Sequence, residues 1–204
     1  VQGNAASDYG GGIYIYAGSL DLDQSAVRIN DSDGGAGLAC VYATVDVDGV
    51  TFEMNSAGTA GGGMNTSDST VTLNGVMFDD CNALHGGGLW SYTSLTTING
   101  CTFGDCFAYE TGGGLASLAS YVLAVNDSVF ENNFASGLGG GAFVDGADIE
   151  SHFRACTFDG NDAGRGGGLA VAGQHTLLMT AAVVEAAALD RREVVDELAA
   201  GHQK

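Results

Sequence analysis

Basic side chains are scarce: six Lys and Arg stand against 25 Asp and Glu, for a formal net charge of −19. A nucleic-acid partner needs a Lys/Arg footprint, so that class is excluded. An anionic membrane surface is disfavoured for the same reason. No apolar run reaches the ~18 residues of a membrane-crossing helix, so no direct membrane insertion is expected. Proline is absent, and the five cysteines form no CxxC pair. That is too few for a disulfide scaffold. No signal peptide is visible and the chain opens on Val1, so a mature product, a processed fragment or an excised domain is expected. What is plentiful is glycine, 34 of 204 residues, beside a 45% hydrophobic content sufficient to bury a core. The acidic balance suits a soluble, self-repelling surface or a basic partner.

The glycines are periodic. Clusters end at Gly12, Gly37, Gly63, Gly88, Gly114, Gly141 and Gly168, with steps of 25, 26, 25, 26, 27 and 27 residues. A second marker runs in phase: an apolar residue followed three places later by Asn or Cys. It reads Val27/Asn30, Phe52/Asn55, Phe78/Cys81, Phe103/Cys106, Phe130/Asn133 and Phe158/Asn161. Turn dipeptides precede the aromatic, as in Asp48-Gly49, Asn74-Gly75 and Asn99-Gly100, and such pairs tolerate left-handed backbone.

Each unit parses into three short extended pieces separated by turns. One follows the glycines (Leu89-Trp90-Ser91-Tyr92), one alternates (Val71-Thr72-Leu73), and one ends in the aromatic (Cys101-Thr102-Phe103). Such a triplet buries its apolar face only when stacked on a copy of itself. Parallel crossovers are right-handed in nearly all proteins. The reading is an all-β, right-handed parallel β-helix of about seven coils with three short strands per coil, over residues 1–178. The phenylalanines would stack inside and the Asn/Cys slot would form a ladder. A leucine-rich repeat is excluded because a turn dipeptide interrupts the Leu-x-x-Leu-x-Leu stretch. Calcium-binding nonapeptide rolls are excluded by the long period.

The paired signatures Gly-Gly-Gly-Leu and Phe-x-x-Asn resemble repeats of the chlamydial polymorphic membrane proteins and related autotransporter-type surface proteins. The copies that carry the resemblance are Phe52-Glu53-Met54-Asn55, Phe130-Glu131-Asn132-Asn133 and Phe158-Asp159-Gly160-Asn161, with Gly61-Gly62-Gly63-Met64, Gly112-Gly113-Gly114-Leu115 and Gly166-Gly167-Gly168-Leu169. It covers residues 10 to about 172. The resemblance implies a β-helical passenger displayed extracellularly or at a cell surface, often in adhesion. The chain departs from the pattern where Cys81 and Cys106 replace Asn, and residues 179–204 are not expected to form the C-terminal membrane barrel that autotransporters carry.

Beyond residue 178 the expected turn and Phe do not come. Residues 179–204 are rich in helix formers, which predicts a C-terminal α-helix acting as a cap or tail, with a helix that mediates association or a disordered or non-native end as the alternatives.

Candidate chemistry is sparse. Enzymes on such a fold act mainly on acidic sugars and need paired acidic and basic groups on one sheet. Only Arg28, Arg154 and Arg165 precede the tail, so no catalytic residue is expected. Asp23, Asp46 and Asp48 form the best metal candidate. Asp46-Val47-Asp48-Gly49 echoes the start of a calcium loop without the downstream Glu of an EF-hand, and solvated turns are the competing reading. Cys81 and Cys106 share a slot in consecutive coils, at a spacing that admits either a disulfide or a pair of buried thiols. Tyr14, Trp90 and Phe143 occupy the outward slot after the glycines, with Tyr16 and Tyr92 two residues on. Rings on a flat face can stack on sugars or anchor a protein.

The leading expectation is a non-catalytic, secreted or surface-displayed structural module that binds a protein or glycan in adhesin-like fashion. One alternative is a carbohydrate-binding or polysaccharide-degrading β-helix. Another is a subunit of an extracellular fibre or coat, self-associating through coil ends or the C-terminal helix. No cofactor is expected apart from calcium at the aspartates.

Overall fold

One coil turns four corners, and each corner is a single residue with positive φ. Around the coil that begins at Met64 these are Asp68 (φ 49), Gly75 (φ 57), Asp80 (φ 48) and Gly86 (φ 60). Their N–H groups are all committed to the next coil: Asp68 to Tyr92 O at 3.1 Å, Gly75 to Asn99 O at 2.9 Å, Asp80 to Gly104 O at 3.2 Å and Gly86 to Thr111 O at 2.9 Å. Proline fixes φ near −65° and has no N–H. A chain in which corners need positive φ and nearly every N–H bridges two coils has little place for it.

The computed structural model describes residues 1–146, 150–173 and 176–184. Between the corners lie short strands that pair in parallel with the same strand of the neighbouring coil, in four sheets of seven, seven, seven and six strands. The first sheet runs from Ile13–Tyr16 to Leu169–Ala172, the second from Ser19–Asp23 to Thr176–Thr180, and the third from Ala26–Arg28 to Val183–Val184. The fourth holds Asp31–Gly34, Ser56–Ala60, Asn82–His85, Phe107–Thr111, Phe134–Leu138 and Asp162–Arg165.

That fourth sheet corrects the expected three strands per coil. The described residues make six complete four-stranded turns and three strands of a seventh, rather than seven three-stranded coils. Isolated bridges from Gln2, Ala5 and Tyr9 to Arg28, Asp31 and Gly34 extend the stack at its start. At the other end the strands Thr176–Thr180 and Val183–Val184 run past residue 178. Val184 pairs with Phe158 and so fills the aromatic slot that looked empty. The described residues contain no helix; the expected C-terminal helix falls mostly within residues 185–204, outside the described residues.

The core is a set of columns. Phe52, Phe78, Phe103, Phe130 and Phe158 are fully buried and stack ring on ring, with centroids 4.7–5.1 Å apart and planes within 9°. Offset stacking at this spacing adds to the hydrophobic gain. Beside them runs the second-sheet column Val47, Leu73, Ile98, Val125 and Phe153, and the first-sheet column Leu38, Met64, Leu89, Leu115 and Ala142. The last glycine of each triplet makes room for the rings: a Cβ on Gly37 would stand 2.8 Å from the Phe52 ring.

The turn between the third and fourth sheets carries the polar ladder. Asn30 donates through Nδ2 to Asn55 Oδ1 at 2.9 Å, and Asn133 donates to Asn161 Oδ1 at 2.9 Å. Asn55, Asn133 and Asn161 also donate to the carbonyls of Val27, Phe103 and Phe130. All are buried, so these bonds satisfy groups that would otherwise carry a desolvation cost. Cys81 and Cys106 occupy the two middle positions.

Candidate functional site

The first-sheet residues predicted to form an aromatic face do share one row. Tyr14 pairs with Ala39, Ala39 with Asn65, Asn65 with Trp90, Trp90 with Ala116 and Ala116 with Phe143. They do not form one surface. Tyr14 is exposed and stacks on Tyr9 at 6.5 Å. Trp90 is half-buried and leans on the His85 ring, 5.3 Å away. Phe143 is only 5% exposed, which corrects its placement on an exposed face. The cause is the glycine corner, which folds the fourth sheet over this outward row. A Cβ on Gly35 would lie 2.7 Å from Ala39 Cβ, and one on Gly112 would lie 2.7 Å from Ala116 Cβ. Outward here means into a concave angle. Tyr16 and Tyr92, in the next row, stay exposed three coils apart. Tyr16 meets Tyr42 edge-on at 5.9 Å.

The aspartates are brought together in pairs but not into a cage. Asp23 pairs with Asp48 and Asp21 with Asp46, all on the outer face of the second sheet. Parallel side chains on a strand face point into water side by side rather than converging. Among the described residues no group of three or more His, Cys, Asp or Glu could hold a metal ion, so the geometry does not support the calcium candidate at Asp23, Asp46 and Asp48. Further along the row Asp48 gives way to an amide column, Asn126 to Asn99 at 3.0 Å and Asn99 to Asn74 at 2.9 Å.

Cys81 and Cys106 are free, buried thiols, not a disulfide. Cys81 Sγ donates to Phe52 O at 3.5 Å and Cys106 Sγ to Phe78 O at 3.6 Å. Burial raises the Cys106 thiol well above its ordinary range, with the Cys81 side chain adding to the effect. Burial likewise pushes Cys40 up to about 12 and Cys101 up to about 11. Protonated, buried thiols are poor nucleophiles. His85 bonds Thr111 Oγ1 through Nδ1 at 2.9 Å and lies 3.6 Å from Glu110.

The fourth sheet, which sequence reasoning missed, carries the most built outer face. A groove of about 490 Å³ crosses it, lined by Asp31, Asp33, Ser56, Asn82 and Tyr109 among others. Ser56 donates to Asn82 Oδ1 at 3.0 Å across one rung. Beyond Asn82 the same column becomes aromatic: Phe107 pairs with Phe134, their rings stacked at 5.3 Å, and Tyr109 meets Phe107 edge-on at 4.7 Å. Tyr109 is 61% exposed. The signal was present: Phe107 and Phe134 each follow the Asn/Cys slot, at matching positions. On the third sheet lies an acidic row of Glu53, Asp79, Glu131 and Asp159. Burial, then the carboxylates of Asp105, Glu53 and Asp80, hold the Asp79 carboxyl above its usual value.

Comparison with known proteins agrees with this architecture. The family model for the right handed beta helix region matches residues 1–181. No curated protein matches the chain.

Proposed function

The chain belongs to the right-handed β-helix family, and from that premise we propose that it is a non-catalytic module, displayed outside the cell or on its surface, that binds another macromolecule in adhesin-like fashion. One contrast carries the reading. The interior repeats almost unchanged from coil to coil, while the outer rows change character, from aspartate to amide on the second sheet and from polar to aromatic on the fourth. A scaffold needs the first property, and recognition of a partner needs the second. The resemblance to autotransporter-type passengers supports a location at or beyond the cell surface.

The cations support a non-catalytic role. Arg28, Arg154 and Arg165 stand on the third, second and fourth sheets respectively. Arg28 lies 3.8 Å from Glu53. The three cations are thus spread over three sheets, and none of the three sheets gathers more than one of them.

Two assays test the reading together. Labelled chain should be retained on cell surfaces or extracellular matrix, saturably and in competition with unlabelled chain. Incubation with a panel of polysaccharides should release no product. Retention that never saturates, or turnover of any polymer, contradicts it.

A further inference from the structure

The groove across the fourth sheet has two unlike ends. At one, Asp31 and Asp33 project from the strand Asp31–Gly34, both exposed, and neither enters an ion pair among the described residues. At the other stands Tyr109, its ring packed edge-on against Phe107, which stacks in turn on Phe134 beyond the groove. No Lys or Arg lines the groove, and the chain as a whole carries a net charge of −19. Covering two carboxylates costs free energy unless a positive group replaces their water. An exposed aromatic face offers a second cation a place to sit, guanidinium above all.

Resting on the reading of the chain as a partner-binding module, we infer that this groove binds an extended, arginine- or lysine-bearing segment of a protein, laid along the solenoid axis. The spacing fits. Asp33 and Tyr109 belong to strands three pairings apart in the sheet, which is roughly 14 Å at the usual strand separation. An extended chain advances about 3.3 Å per residue, so side chains four residues apart stand about 13 Å apart. One cation then meets Asp31 and Asp33 while the next lies against Tyr109. Ser56 and Asn82, between them, offer hydroxyl and amide groups to the intervening backbone. A neutral glycan would stack on the ring and offer hydroxyls to the carboxylates without neutralising their charge, and an anionic one would be repelled.

The probe is a short peptide with blocked ends, carrying two arginines four residues apart in a Ser/Thr background, and a control with glutamate in their place. Binding is followed by calorimetry at low and moderate salt. Saturable, salt-weakened binding of the arginine peptide alone is expected. Asp31→Asn with Asp33→Asn should weaken it about tenfold, and Tyr109→Ala about threefold. Glu131→Gln with Asp159→Asn removes the same charge from the third sheet and should change it less than about twofold. These side chains are exposed, and circular dichroism confirms that each variant is folded. Absence of binding overturns the inference, as does equal loss in the third-sheet variant, or capture of a neutral oligosaccharide that both acidic variants retain. If the chain still binds cell surfaces while the peptide does not bind, this inference falls and the partner-binding reading stands.

Discussion

Gly63 and Phe78 fit together because one has no side chain: a Cβ on Gly63 would lie 2.5 Å from the Phe78 ring, with Gly88 O at 2.7 Å. Ring and backbone are both buried and neither can move aside. Gly63→Ala should therefore destabilise the chain by about 2–3 kcal/mol, read as a lower urea midpoint. Gly75 is a control of a different kind. It has positive φ but nothing within 4 Å of its Cβ position, so Gly75→Ala should cost only about 1 kcal/mol. A loss at Gly63 no greater than the loss at Gly75 would contradict the role of the ring stack in the glycine requirement.

The Asn ladder makes a second prediction. Asn133 Nδ2 bonds both Phe103 O and Asn161 Oδ1 at 2.9 Å, and its Oδ1 accepts from the Cys106 N–H at 3.1 Å. Asn133→Ala leaves those buried partners unpaired and should cost about 2–4 kcal/mol. Asn74, part-buried at one end of the second-sheet amide column, should tolerate Ala at under about 1 kcal/mol. Urea unfolding of the two variants side by side checks the difference.

Ser151 points the other way. It is fully buried on the second sheet, between Leu123 and Leu177 in the same column, and its hydroxyl has no hydrogen-bond partner among the described residues. Ser151→Ala should stabilise the chain by about 1 kcal/mol. A loss of stability would reveal a partner for the hydroxyl.

The thiols predict an alkaline limit. Their ordinary value is 9.0, and burial raises Cys40 to about 12 and Cys101 to about 11. Between these values the unfolded chain has lost the proton and the folded chain keeps it, so stability falls as pH rises. The thiol contribution is fully present below pH 9.0 and is lost through about 11 to about 12. Urea midpoints should drop as pH rises from about 8 to about 10.5, and Cys40→Ala should flatten the drop. At neutral pH, thiol reagents should label these cysteines only on unfolding.

Three of the four sheets were legible because each leaves a mark that only stacking explains. The Phe column, the Leu73/Ile98/Val125 column and the glycine corners all recur at one period. The fourth sheet left a fainter one. Its inward residues are Ser32, Ala57, Ala83, Ala108 and Ala135, small side chains that give no apolar alternation, set among Gly, Ser and Asp that read as loop. Phe143 was placed on an exposed face for a related reason. Alternation tells inside from outside on one strand, but the burial of Phe143 depends on the angle between two sheets, which no single strand encodes. The thiol state of Cys81 and Cys106 was open because a one-rung spacing suits a disulfide and a thiol pair equally.

The groove exists only if the fourth sheet stacks in the register seen here, with Ser56 opposite Asn82 and Phe107 one rung further on. Cysteines introduced in pairs test that directly. Mild oxidation should cross-link Ser56→Cys with Asn82→Cys, whose Cα atoms sit one strand spacing apart, within disulfide reach. It should leave Ser56→Cys with Phe107→Cys unlinked at twice that spacing. A cross-link in the second pair, or none in the first, would contradict the stacked fourth sheet and the groove built on it.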